Sequence, residues 1–262
     1  MNNLLNFEFK KLFSSKAFYV CLILGVVFSS LTILVELSIL KLINGNEAVS
    51  SSNLGLFLSN YEMLESFINF VIMIFVSIFI TEDYKFGTIK GIRSRGYSGA
   101  NIYLSKLISS AVGCIIIYIA SMLANFVWIL TINKTDASTG LEYAKISMCC
   151  LSMLINIAIA IFFATLFRKL SLSILGILLI PNIFATFLTL VWAGLLAISN
   201  LEVKSTLSSY PFYNYFYTNF TSLFLDATSS FNFGLYITLS LLYIVLPLIG
   251  GYFINRKREI KI

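Results

Sequence analysis

The sequence TEDYKFGTIKGIRSRGYSGANIYLSK occupies residues 81–106 and is a long polar interruption near the middle of an apolar chain. It contains five of the eighteen basic residues and four of the fourteen glycines. Apolar runs flank it at about 64–80 and 107–132, and each approaches or exceeds the ~20 residues that cross a ~30 Å hydrocarbon core. The stretch therefore marks a loop between two membrane spans.

The composition of the whole chain extends this interpretation to all 262 residues. Hydrophobic residues make up 58% and charged residues only 11%, with a mean hydropathy of +0.90, whereas a soluble domain is about a quarter charged. The apolar runs lack the alternation of barrel strands. We predict an all-α polytopic membrane protein with one transmembrane domain over 1–262. Its six spans are predicted at about 17–40, 64–80, 107–132, 146–167, 170–199 and 235–254.

Residues 1–16 are too polar to be a span. Four apolar side chains share one helical face there: Leu5, Phe9, Leu12 and Phe13. Three charged side chains fall elsewhere: Glu8, Lys10 and Lys11. This pattern favours an amphipathic helix in the membrane interface over the alternative of a short disordered tail.

The basic residues indicate the orientation of the spans. Fourteen lie in the N-terminal segment, the 81–106 loop, the Arg168–Lys169 turn and the C-terminal tail, which an even number of spans places on one side. Only Lys41, Lys134, Lys145 and Lys204 lie on the other. The positive-inside rule therefore predicts that both termini and the 81–106 loop are cytoplasmic. Since the charges are divided among separate loops, no nucleic-acid partner is predicted.

Several classes of site are absent from the sequence. The chain has no histidine, which excludes His-ligated zinc sites and Ser-His-Asp triads. The four cysteines fall inside apolar runs without metal-ligand spacing. The glycines of 81–106 do not form a P-loop. No catalytic residue, metal site or bound cofactor is predicted in this chain.

The predicted spans also carry no ionisable residue near their centres, since Glu36, Glu65 and Lys106 lie near span ends. A transporter of this kind would take its energy from a partner. The polar residues inside the spans are expected to form hydrogen bonds between helices, with the lining of a translocation path as the alternative. Examples are Asn69, Ser77, Asn125, Asn156, Asn182 and Thr186.

The residues of the 81–106 stretch resemble a known family. An acidic residue, Glu82, is followed by Gly87-Thr88-Ile89-Lys90, then by Ser94-Arg95, and Lys106 stands at the start of the third span. With six spans and both termini inside, this pattern is similar to the type-2 ABC transporter permeases, the membrane subunits of exporters for drugs, peptides, bacteriocins and polysaccharides. The likeness in topology covers the whole chain, whereas the likeness in sequence motif covers about 25 residues.

This resemblance implies that Glu82 to about Arg95 forms a coupling helix that docks on a separate ATPase subunit. The implied coupling residues are Glu82, Asp83, Gly87, Thr88, Ile89, Lys90, Arg93 and Arg95. The acids would pair with basic residues of the loop or of the ATPase, Gly87 would allow a tight turn, and Thr88 would cap the helix. The basic residues would bind acidic positions of the partner or anionic lipid. The alternative is that they are only positive-inside charges on a solvated loop.

Residues 200–234 form a polar and aromatic segment, where the family places two short re-entrant helices. Its aromatic residues include Tyr210, Phe212, Tyr213, Tyr215, Phe216 and Tyr217. They are interpreted either as an interfacial aromatic belt or as an outer gate over the pathway.

The resemblance gives a functional expectation: a multi-pass permease of the plasma membrane, with a bacterial source indicated by composition. It would move an amphipathic or hydrophobic cargo, such as an antimicrobial peptide, outward. The role of this transport would be either to secrete the peptide or to give immunity against it. The expected partners are an ABC ATPase that binds ATP and Mg, a second or related permease, and membrane lipid. The alternatives are a non-transporting anchor or signalling subunit, a His-independent membrane enzyme, and a channel.

Overall fold

The computed structural model describes residues 2–44, 53–132, 140–198, 216 and 233–257. Within these ranges the secondary structure is helical, and no strand occurs. The eight helices of this part of the chain are α1 (Asn2–Ser14), α2 (Lys16–Asn44), α3 (Asn53–Lys85), α4 (Thr88–Ser94), α5 (Gly99–Ile132), α6 (Gly140–Phe167), α7 (Leu170–Ile198) and α8 (Phe233–Lys257).

Six of these helices are long and apolar enough to cross a membrane, as predicted. Their apolar segments are Lys16–Ile39, Met63–Lys85, Gly99–Thr131, Glu142–Phe167, Leu170–Ile198 and Gly234–Arg256. The helices that extend furthest beyond the predicted spans are α3, which begins at Asn53, and α5, which begins at Gly99. The 81–106 stretch is therefore mostly helical: the end of α3, all of α4 and the start of α5.

Helix α3 lies at the centre of the bundle and packs against α2, α5, α6 and α7. Its central turns are buried, with Ile68, Ile72, Phe75, Val76 and Phe79 all inaccessible or nearly so. Helix α7 instead exposes many large apolar side chains, among them Leu175, Leu179, Ile183 and Leu190. Exposing such a surface to water costs free energy, so it suits contact with lipid hydrocarbon or with a second apolar protein surface.

Several helix ends meet at one end of the bundle. Lys11 of α1 contacts Asp83 at the end of α3, and Lys106 at the start of α5 contacts the same carboxylate. The α6–α7 turn reaches the end of α8, where Arg168 Nη2 lies 3.5 Å from Asn255 Oδ1. Both α1 and the end of α8 are therefore on the same side of the bundle, which we call the basic end.

Helix α1 packs on α5 with a face that differs from the predicted one. Leu4, Glu8 and Leu12 are buried at four-residue spacing, whereas Phe13 is 49% exposed. The prediction that Glu8 lies away from the packed face is wrong. The reason is the ammonium group of Lys106, which holds the Glu8 carboxylate inside the bundle.

Some of the predicted interhelical hydrogen bonds are present. The hydroxyls of Ser77 and Ser173 join α3 to α7 at 2.9 Å, and Asn125 Nδ2 donates to the Ser29 carbonyl of α2 at 3.3 Å. Two exposed members of the predicted set bond instead to carbonyls of their own helix: Asn182 to Leu178 and Thr186 to Asn182. Their position on the exposed side of α7 explains this, because no helix of the described chain faces them there.

Gly113 of α5 allows α1, α3 and α5 to approach closely. A Cβ atom at this position would lie 2.8 Å from Phe75 Cζ and 2.9 Å from Leu12 Cδ1. We expect Gly113→Leu to lower the free energy of unfolding by about 1–3 kcal/mol through overpacking. Denaturant titration in mixed micelles measures the change.

The matched control is Gly194→Leu on α7, where a Cβ would meet nothing within 4 Å. The control should be neutral or slightly stabilising, since leucine favours the helix over glycine. Equal losses in both variants would contradict close packing at Gly113.

Candidate functional site at the basic end of the bundle

Asp83 is the centre of a buried group of four charged side chains, which we call the charge cluster: Glu8, Lys11, Asp83 and Lys106. Lys11 Nζ lies 2.7 Å from Asp83 Oδ1, and Lys106 Nζ pairs with Asp83 Oδ2. Lys106 Nζ also lies 3.3 Å from Glu8 Oε1. Two cations and two anions give a cluster with no net charge.

The cluster is almost fully removed from solvent. The side chains of Glu8, Asp83 and Lys106 are at most 5% exposed, and that of Lys11 is 21% exposed. Removing one member of such a group leaves an uncompensated buried charge, which costs about 3–5 kcal/mol. The cluster therefore holds α1, the end of α3 and the start of α5 together.

The turn between α3 and α4 ties α4 to the same carboxylate. The Thr88 hydroxyl lies 2.9 Å from Asp83 Oδ1 and 3.1 Å from the Asp83 carbonyl. Gly87 makes the turn with φ at +69°, a conformation that side chains with a Cβ rarely adopt. Gly87, not Thr88, occupies the N-cap position of α4, so the predicted capping role of Thr88 is wrong. The Thr88 hydroxyl donates a hydrogen bond to the Asp83 carboxylate instead.

Helix α4 packs on the bundle mainly through the buried side chain of Ile92. Ile92 is buried in a small cluster with Leu4 of α1 and Ile102 of α5, and Ile89 packs beside them. The helix ends at Ser94 with Arg95 as its C-cap, and the next residue, Gly96, has φ at +85° and donates its N–H to the Arg93 carbonyl. Helix α4 is thus a short helix with one packed side and one open side.

The structure distributes the predicted coupling residues over distinct positions. Asp83 is buried in the charge cluster, and Ile89 and Arg93 are half-buried. Lys90 and Arg95 are exposed. Glu82 is half-buried and lines a separate surface cleft of about 840 Å³ beside Phe86 and Lys169. The sequence grouped Glu82 with Asp83, but only Asp83 enters the cluster.

A second polar group lies in the other half of α3. Glu65 Oε1 accepts hydrogen bonds from Ser152 Oγ and, at 3.0 Å, from Asn156 Nδ2, both on α6. Nearby, the Tyr61 hydroxyl lies 2.6 Å from the Tyr118 hydroxyl of α5. We call Glu65, Tyr61, Tyr118, Ser152 and Asn156 the Glu65 network. Glu65 lies near the start of the apolar segment Met63–Lys85, as predicted, and it is buried there.

The sequence did not predict the contacts that Glu8 and Glu65 make. Glu8 was assigned to a polar face, although its position between Leu4 and Leu12 on one helical stripe was a usable signal. Glu65 was noted only as an end residue, because the span was predicted to begin at about 64, while α3 begins at Asn53.

One residue of the predicted outer gate lies in the described chain. The Phe216 ring lies 5.4 Å from that of Phe184 on α7 and 6.3 Å from that of Tyr243 on α8, measured between centroids. It thus bridges α7 and α8. The remaining predicted gate residues lie outside the described residues: Tyr210, Phe212, Tyr213, Tyr215 and Tyr217.

Comparison with known proteins gives no relative from which roles can be transferred to these residues. No family model matches the chain, and no curated protein matches it. What the residues of the basic end do is therefore inferred from their own contacts, burial and charges.

The charge cluster predicts a specific pattern of stabilities. Lys106→Met should lower the free energy of unfolding by about 3–5 kcal/mol, because Glu8 then loses its ion-pair partner and Asp83 keeps only Lys11. Adding Glu8→Gln should recover part of this loss, since it removes one of the two carboxylates. Denaturant titration of the single and double variants measures the coupling.

Lys85→Met is the matched control, because Lys85 is exposed at the same end of the bundle and outside the cluster. It should change stability by no more than about 0.5 kcal/mol. If the Lys106→Met/Glu8→Gln variant is no more stable than Lys106→Met alone, the two charges are not coupled and the account of the cluster fails.

Proposed function

We propose that this chain is the permease subunit of an ATP-binding-cassette exporter. It moves an amphipathic or hydrophobic cargo, such as a peptide, outward across the plasma membrane with energy from a separate ATPase subunit. The observation that carries the proposal is the connection of the short surface helix α4 to the buried charge cluster through Thr88 and Asp83.

The open side of α4 is suited to a protein partner. Gly91, Ser94 and Arg95 are exposed there, and Phe86 just before the helix is 71% exposed. Arginine and aromatic side chains are enriched in the cores of protein interfaces. An ATPase groove with acidic positions would match this surface in charge and would cover the exposed phenylalanine.

The charge cluster supplies a route for force from α4 into the bundle. A displacement of α4 pulls on Asp83, and Asp83 is bound to α1 by Lys11 and to α5 by Lys106. Breaking these buried pairs costs about 3–5 kcal/mol, so we expect the helices to move as one body. ATP-driven movement of the partner would therefore rock α1, α3 and α5 together, which opens a path to the outside.

The partners and cargo follow from the same proposal. ATP and Mg bind to the ATPase subunits, and two permease subunits, identical or related, pair over them. The exposed apolar faces of α2, α7 and α8 lie against lipid or the second permease. A path between such helices favours a hydrophobic or amphipathic cargo, for which Phe216 and its aromatic neighbours in sequence would form an outer gate.

The proposed orientation places the basic end in the cytoplasm of a bacterial cell. We expect Ser94→Cys on α4 to react with a membrane-impermeant maleimide only after the cells are permeabilised. Tyr143→Cys, near the start of α6 and 61% exposed, should react in intact cells. The exposed native Cys150 is replaced by serine in both variants to remove background labelling. The reverse labelling pattern would overturn the orientation.

The coupling role predicts that charge reversal at Arg95, the C-cap of α4, or at Glu82, near the end of α3, separates the permease from its ATPase. We expect Arg95→Glu and Glu82→Lys each to reduce co-purification of a co-expressed ABC ATPase encoded beside this chain by about tenfold or more, because like charges facing each other cost several kcal/mol. Cargo-stimulated ATP hydrolysis in proteoliposomes should fall in parallel.

The matched control is Lys16→Glu, which reverses an exposed charge at the same end of the bundle but on α2. It should leave ATPase association unchanged. If Arg95→Glu and Glu82→Lys both leave ATPase association and ATP hydrolysis intact, the coupling role is refuted. A bound ATPase that no cargo stimulates would favour the anchor or signalling alternative, and ion conductance without nucleotide would favour a channel.

A further inference from the structure

A cavity of about 180 Å³ lies behind α4, between the first turns of α5, the α6–α7 turn and the end of α8. The lining residues that matter here are Asp83, Lys90, Arg93, Gly99, Lys106 and Arg168. One water needs only ~10–15 Å³ of such space. The cavity therefore has room for a polyatomic group.

The lining of the cavity contains more basic than acidic side chains. Asp83 and Lys106 on its floor are already neutralised within the charge cluster. The other charged lining residues are Lys90, Arg93 and Arg168, all cations. Within the described part of the chain, neither Lys90 nor Arg93 forms an ion pair. Lys90 and Arg93 of α4 are thus two cations on this lining that form no ion pair in the described residues, and Arg168 of the α6–α7 turn lines the same space.

Arg93 carries an unused donor toward this region. Its Nε atom is buried and has no hydrogen-bond partner among the described residues. A buried donor without an acceptor costs free energy, and an anion in the cavity would remove that cost. Arg93 is a residue of α4, so such an anion would also hold α4 against the bundle.

Arg168 and the start of α5 add fixed positive potential. Arg168 has φ at +57°, its guanidinium lies 4.9 Å from the centre of the Tyr84 ring, and Nη2 lies 3.5 Å from Asn255 Oδ1. These contacts fix the position of its charge. Gly99, the first residue of the 34-residue helix α5, lines the cavity, so the positive end of a long helix points toward it.

We propose that this cavity binds a phosphate group, supplied by the headgroup of an anionic phospholipid or by a soluble phosphate. A tetrahedral anion with several acceptor oxygens can contact cations from α4 and from the α6–α7 turn at once, whereas a single carboxylate offers two oxygens in one plane. The site lies at the polar end of six apolar helices, where lipid headgroups are found. It does not depend on ATP-driven export.

The test uses the full chain in an uncharged maltoside detergent, with native mass spectrometry as the readout. The probes are phosphatidylglycerol, diacylglycerol with the same acyl chains, and inorganic phosphate. We expect one phosphatidylglycerol per chain to be retained most tightly, and diacylglycerol not to be retained. The variant Lys90→Gln/Arg93→Gln should weaken retention by about tenfold or more, since each nearby cation contributes to headgroup binding.

The matched control is Lys85→Gln/Arg95→Gln, which removes two exposed cations at the same end but outside the cavity. It should retain phosphatidylglycerol as the unchanged chain does. Displacement of that lipid by inorganic phosphate would support recognition of the phosphate group itself. Binding of inorganic phosphate alone, lost in Lys90→Gln/Arg93→Gln, would support a soluble source.

Two results would overturn the proposal. Equal weakening in both double variants would mean that the surface charge of this end binds phospholipid without using the cavity. No retention of either phosphate probe, together with loss of ATPase association in Lys90→Gln/Arg93→Gln, would mean that these cations serve the partner protein. A size-exclusion profile identical to that of the unchanged chain confirms that each variant is folded.

Discussion

The ion pair between Asp83 and Lys106 is the contact on which the basic end of the bundle depends. Two charges that leave water lose several kcal/mol of hydration each, and a single pair regains this only with good geometry and further hydrogen bonds. Here Lys11, Glu8 and the Thr88 hydroxyl supply those further partners. The cost of burial thus explains why α1 is drawn onto the bundle: without Glu8 and Lys11, the pair would be poorly satisfied.

The sequence predicted the helices because hydropathy is a local property. Six apolar runs identify six helices that can cross a membrane, and no knowledge of their neighbours is needed. The site depends on distant residues: Lys106 meets Asp83 across 23 positions and Glu8 across 98. One sequence gives no sign of such pairing. Gly87 was identifiable because a tight turn needs its backbone conformation. The role of Thr88 was predicted wrongly, because its hydroxyl bonds the Asp83 carboxylate five residues earlier in the sequence.

Helix α3 connects the charge cluster to the Glu65 network. Glu65 and Asp83 lie 18 positions apart on this helix, or about 27 Å at 1.5 Å per residue. Between them α3 buries apolar side chains such as Ile72 and Phe75. Sliding α3 along its axis by one turn would separate Asp83 from Lys106 and Glu65 from its α6 donors at the same time. A tilt would keep both sets of contacts only if α1, α5 and α6 moved together with α3, so we infer that these helices move as one body.

Helix α4 has two sides with different surroundings, and this division decides how its cations can act. Arg93 and the exposed Lys90 line the cavity behind the helix, whereas Arg95 does not line it. An anion in the cavity would neutralise the inner cations and fix α4 to α5 and the α6–α7 turn. A partner bound to the outer side would then move a stiff element rather than a loosely held one. The anion in the cavity and the protein partner on the open side would therefore both act on α4, and through the hydrogen bond from Thr88 to Asp83 on the charge cluster.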